Sequence, residues 1–191
     1  MNDLEKYDYI EKIYGNLFFD NTNVVLELLS DSDECVRIEM IEACYACKQE
    51  LVREKLLQML KNTMGLEKGY LLLTLSYIYQ DDEEKIVDIL KENIHSLDAH
   101  EKMDAYAGLI ILGYDCYLKD LLRFLESSEY YIRCAVLNMI SELIQNDLIK
   151  KKDILTIKNV VFQVDKQEKT RAVRSSMQHL SKVINQEMQE E

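Results

Sequence analysis

A phrase that occurs five times limits what this chain can fold into. After Val36-Arg37, an apolar residue stands three positions beyond the basic one (Met40) and a small one six beyond (Ala43). Lys68 opens the same phrase with Leu71 and Thr74, Lys102 with Ala105 and Gly108, Arg133 with Val136 and Met139, and Arg174 with Met177 and Leu180. The basic residues thus recur with a period of roughly 31 to 41 residues, the range of stacked helical pairs. One such pair is too short to bury its own apolar face, so the pattern predicts stacking into a continuous core held by nearest-neighbour interfaces.

Composition agrees with helices. The 191 residues hold no Pro and only 5 Gly, and 48% are hydrophobic, enough for a sizeable core. Residues 4–19 contain no long apolar run and carry early acidic residues, which predicts neither a signal peptide nor a membrane span. The 5 Cys lie within helix-like apolar patterns, as reduced thiols in a cytoplasmic protein would. Cys44-Tyr-Ala-Cys47 is a lone C-x-x-C without the second pair or the spaced histidines of a zinc site, and it falls late in its helix, away from the N-terminus that would activate a thiol. No metal and no cofactor are expected.

Taken in order, residues 1–30 read as a short capping pair. Leu4, Tyr7, Ile10 or Glu11, and Tyr14 share a helical face, Gly15-Asn16 stops it, and Asn23 caps a second helix. Asp33 launches a helix over about 34–47, and Gln49 to Lys61 follows with Leu51, Leu56, Leu57 and Leu60 inward. The next helix, 66–79, is apolar nearly all round and belongs mid-stack. Asp81-Asp82-Glu83-Glu84 then opens a helix with Ile86, Val87, Ile89, Leu90 and Ile94 buried; four carboxylates at a helix start suit the macrodipole without any ligand. Asp98 caps the helix that ends at Gly113, and Tyr114 to Leu125 is a further helix. Helices over 128–144, 153–164 and 168–186 complete the repeats, and 187–191 is a frayed acidic end. The expected organisation is one domain over 1–191, with a cap (1–30) and repeats (31–186).

Val36-Arg37, Ile132-Arg133 and Val173-Arg174, each after a turn with Asp, Ser or Glu, resemble HEAT repeats over roughly residues 28–186. Glu67-Lys68 and Glu101-Lys102 depart from the aliphatic-Arg pair, and the family's frequent A-helix Pro is absent. The resemblance implies an all-α fold, a right-handed α-α superhelix of about nine to eleven helices. It also implies that Arg37, Arg133 and Arg174 are structural, bonding acidic or backbone groups of the neighbouring repeat. Such rods bind other molecules, but the fold does not say which.

Charge narrows the choice. Residues 1–147 hold 14 Lys+Arg against 29 Asp+Glu, a net of −15, while 148–191 hold 9 against 6, a net of +3. Such a field repels nucleic acid and anionic membrane and attracts a basic protein, although acidic surfaces also serve solubility. No phosphate loop, dinucleotide fingerprint, nucleophile elbow or metalloprotease helix is present. Some HEAT-like proteins are DNA glycosylases, but the basic cleft and the stacking Trp of a base-flipping site are missing here. A non-catalytic module with no small-molecule substrate is expected. Tyrosine makes up 12 of the 16 aromatic residues. Tyr77, Tyr79, Tyr114 and Tyr117 fall near turns within helical pairs, beside Asp81, Asp82, Glu83, Glu84 and Asp115, while Tyr130 and Tyr131 sit at a turn between repeats. Tyr gives large contact area at low entropic cost and accepts a cation over its ring, so these eleven residues form the candidate partner-binding set; the same rings also suit half-buried helix ends. Small acidic solenoids of this kind resemble bacterial immunity proteins, which cover the active site of a basic toxin, often a nuclease. A scaffold in a larger assembly is the other reading, and a HEAT-like lyase or glycosylase the third.

Overall fold

The computed structural model describes residues 1–189. The described residues are all-helical, with eleven α-helices, three short 3-10 turns and no strand. It divides into two compact units, Met1–Gly108 and Leu109–Glu191.

In the first unit, α1 (Asp3–Ile13), α3 (Glu34–Ala43) and α5 (Gly65–Ile78) are successive neighbours. Between them in the chain, α2 (Thr22–Leu28) lies against α3 and α4 (Glu50–Leu60), and α4 against α5. The helix starts follow local chemistry. Asn2 and Glu5 form a reciprocal capping box, Asp33 accepts the Cys35 amide at 2.9 Å, and Asp98 accepts the amides of His100 and Glu101 at the head of α7 (Ala99–Ile111). The core is a run of aliphatic residues, among them Val25, Val36, Met40, Ile41, Val52, Leu56, Leu71, Leu72, Leu75 and Leu90.

Several local expectations change. Asn21, not Asn23, caps α2, because its side chain reaches the Val24 amide at 3.3 Å. Ile10 and Ile13 are the buried residues of α1, whereas Leu4 is 72% exposed. The helix α3 stops at Ala43, so Cys44 and Cys47 lie in the turn that follows, both buried. Leu51 points outward, and α4 instead buries Val52, Leu56 and Leu60. The acidic run 81–84 does not open an α-helix: Glu83–Lys85 is a 3-10 turn without a side-chain cap, and α6 (Val87–Asn93) begins after it. The macrodipole account of these carboxylates therefore fails.

The end of α7 leads into the second unit. Gly113 has φ +90°, its amide bonds the Ile110 carbonyl, and the Tyr114 amide bonds that of Leu109, the paired pattern that closes a helix at a left-handed residue. The helix expected over 114–125 is broken into a 3-10 turn (Asp115–Tyr117), α8 (Leu118–Leu122) and a second 3-10 turn (Arg123–Glu126), yet Leu118, Leu121, Leu122 and Leu125 are all buried as their spacing predicts. Long helices follow. These are α9 (Tyr130–Gln145), α10 (Lys151–Asp165) and α11 (Arg171–Glu187), with α11 packed on both α9 and α10. The Ile- and Val-rich segment is helical, with Ile154, Ile157 and Val161 inward. Met188 forms the C-cap of α11, so Glu187 is helical rather than frayed; the rest of that acidic end, residues 190 and 191, lies outside the described residues.

Candidate protein-binding surface

Four of the repeat's five basic residues, Arg37, Lys68, Arg133 and Arg174, are occupied within the fold. Arg37 donates from Nη1 to the carbonyls of Asp31 and Ser32, six and five residues earlier, and grips Glu67 with Nε and Nη2, both at 2.7 Å. Arg133 repeats this at the same offsets, reaching the carbonyls of Ser127 and Ser128 and, bidentately, Glu168 at 2.8 and 3.2 Å. Lys68 reaches Glu101 at 3.3 Å, and Arg174 donates to the Glu168 carbonyl, again six residues back. The Glu residues at 67 and 101, which blur the repeat in the sequence, are the acceptors for the preceding repeat's cation. These forks are charge-assisted and sheltered, and the bond from Arg133 holds the Glu168 carboxyl down at about 2.

What remains on the surface of the first unit is aromatic and acidic. Tyr14 caps α1, Tyr45 lies in the turn just after α3 and Tyr77 in the last turn of α5, and their rings form a row: centroids are 5.6 Å apart between Tyr14 and Tyr45 and 6.0 Å between Tyr45 and Tyr77. Tyr14 is 49% exposed and Tyr45 38%, while Tyr77 is half-buried. The Tyr14 hydroxyl donates to Glu42 Oε1 at 3.2 Å, and burial pushes the half-buried Glu42 carboxyl up, against the pull of that bond. The row is held from behind. The Gly15 amide bonds the Ala43 carbonyl, the Lys48 amide bonds the Leu17 carbonyl, and Gly15 (φ +72°) leaves room for the Tyr45 ring, whose hydroxyl would stand 2.6 Å from a Cβ there.

The sequence-predicted residues are distributed unevenly. Tyr77 joins this row, but Tyr79, two residues on, is only 2% exposed; Arg53 and Lys85 lie 5.5 and 5.2 Å from its ring centroid, and burial raises its phenol. Tyr79 thus turns into the fold. Asp81, Asp82 and Glu84 are exposed and Glu83 half-buried, with Asp82 paired to Lys85 at 3.0 Å. In the second unit, Tyr114, Asp115 and Tyr117 are half-buried around a 3-10 turn, and Asp115 forms an ion pair with Lys150. Tyr130 and Tyr131 stand exposed at the start of α9 with their rings edge to face at 6.0 Å. Sequence reasoning missed Tyr14, Glu42 and Tyr45. The available signal was positional, a Tyr at the end of each of the first three repeat-starting helices.

Among the described residues, no group of three or more His, Cys, Asp and Glu could hold a metal ion. Burial drives the Cys44 thiol well above its ordinary range and raises Cys47, so both stay protonated. No described helix is long and apolar enough to cross a membrane. No protein-family model, curated protein or solved structure matches this chain.

Proposed function

We propose that this chain is a non-catalytic, HEAT-like binding module that engages a basic protein through its first unit, and that it acts as an inhibitor of a basic toxin in the manner of an immunity protein. One observation carries the reading. Residues 1–108 hold 23 Asp+Glu against 11 Lys+Arg, a net of −12, whereas 109–191 hold 12 of each. The entire formal charge of the protein therefore belongs to the unit that also bears the exposed tyrosine row. A one-sided field of this size steers a cationic partner and raises its association rate, while aromatic rings supply the contact area that holds it.

The experiment is capture on the full chain from its native cell at low and moderate salt, followed by reconstitution with any protein retained. One basic protein, bound one to one, with an on-rate falling about tenfold or more between about 0.02 and 0.2 M salt, is expected. A mixed set of partners would instead mark a scaffold, and no retained basic protein would remove the reading. Replacing Asp82, Glu83 and Glu84 by Ser should weaken that complex and flatten its dependence on salt. It should change stability by no more than about 0.5 kcal/mol, since these positions lie in a 3-10 turn without a side-chain cap.

A further inference from the structure

The row of three tyrosines with a sheltered carboxylate has a more specific chemistry than an acidic surface. We infer that Tyr14, Tyr45, Tyr77 and Glu42 form a receptor for an arginine side chain, the anchor at which the first unit takes a guanidinium group of its partner. This rests on the protein-binding reading above and names the group recognised.

The rings come first. Tyr14 and Tyr45 are tilted at 53° and Tyr45 and Tyr77 stand nearly perpendicular at 74°, so successive rings offer both faces and edges over a short span. The negative face of such a ring attracts a cation, most strongly where water is thinned. Tyr45 is 38% exposed and Tyr77 half-buried, so part of the row is already sheltered from water. The carboxylate comes second. Glu42 Oε1 is fixed by the Tyr14 hydroxyl, so the acceptor is held in place at the edge of the rings rather than swinging in solvent. A carboxylate takes the planar fork of arginine through two parallel bonds, and the same plane stacks on tyrosine. A lysine ammonium is a compact, strongly hydrated point charge that does neither as well. The occupant's sign follows from the unit's net charge of −12, which excludes anionic ligands.

The site is also built before the ligand arrives. Two backbone bonds join the 14–17 turn to the 43–48 turn, and the missing side chain at Gly15 admits the Tyr45 ring. Little ordering is left to be done on binding, which favours recognition of a single side chain.

The test is a titration of the full chain, followed by NMR, with acetyl-arginine amide, acetyl-lysine amide and acetyl-citrulline amide. Saturable shifts at Gly15, Glu42, Tyr45 and Tyr77 are expected with arginine, roughly fivefold weaker binding with lysine and none with citrulline. Tyr45→Ala and Glu42→Gln should each weaken arginine binding by roughly fivefold to tenfold, while Tyr45→Phe keeps the ring and the binding and guards against a variant that merely fails to fold. Equal response to arginine and lysine, or shifts spread over the acidic surface, overturns the inference. A captured basic partner held equally well by Glu42→Gln and Tyr45→Ala overturns the anchor and leaves the binding module standing. Failure of the wild-type chain to retain any basic protein removes the module, and the arginine titration then still decides the site.

Discussion

Asp104 and Gly69 meet where α7 crosses α5, and the contact depends on both residues. Asp104 is buried, with Oδ2 placed 2.0 Å from where a Cβ on Gly69 would stand, so only glycine leaves space for the carboxyl. Gly69→Ala should therefore destabilise the first unit by about 1–3 kcal/mol, and Asp104→Ala in the same chain should recover much of that loss. Additive losses in chemical denaturation would show that the two do not share the space. The burial has a second consequence. With Asp98 as a lesser contributor, it pushes the Asp104 carboxyl up from 3.8 to about 8. Between those values the folded chain binds a proton that the unfolded chain does not, so stability falls as pH rises, by up to about 1.4 kcal/mol per unit, and the contribution is gone above about 8. Asp104→Asn should flatten this slope between pH 5 and pH 8 in denaturant titrations; an unchanged slope would assign it to other groups. Nothing in the sequence around Ala99-His100-Glu101-Lys102-Met103-Asp104 marks the last carboxyl as the one pressed against a glycine, because that glycine lies 35 positions away.

Among elements, the cation forks do for successive repeats what caps do for single helices. Arg133 ties the start of α9 to its own turn and to the loop ahead of α11, where Glu168 Oε1 also accepts the amides of Lys169 and Thr170. Arg133→Ala strands that sheltered carboxylate and should destabilise the second unit by about 3 kcal/mol, as Arg37→Ala should the first by stranding Glu67. A loss under 1 kcal/mol in either would make the fork incidental. The repeat was legible because Arg37, Arg133 and Arg174 recur with their apolar and small partners, and element type followed from period. Helix ends were less legible. Asn21 and Asn23 are equal cap candidates on local chemistry, and in the fold it is Asn21 that caps α2, with Val25 and Leu28 buried. The tyrosine row was legible only in part: Tyr77 stands out in the sequence by its place near a turn, whereas Tyr14, Glu42 and Tyr45 come together only when the first turn folds onto the second.

Across the whole molecule, the two units carry opposite responses to acid. In the first, Asp104 at about 8 takes up a proton on folding, so lowering pH from 8 toward 5 strengthens the unit and also relieves the repulsion within its net charge of −12; Glu42, raised by burial, adds in the same direction as pH falls toward its own range. Asp31, held down by the Asp33 amide and then by Lys6, opposes this only once pH falls below 3.8. In the second unit the charges balance, and the Glu168 carboxyl is lowered from 4.5 to about 2 by Arg133; its contribution is intact above 4.5 and is lost as pH falls through 2. Amide exchange resolved by residue and corrected for intrinsic rate should therefore show α5 gaining protection between pH 8 and pH 5 while α9 and α11 hold steady, and α9 and α11 losing it below 4.5. Arg133→Ala should abolish only the second effect and Asp104→Asn diminish only the first. If both helices of the second unit instead track α5 through the whole range, the units open together, and a single cooperative transition governs the response of this chain to pH.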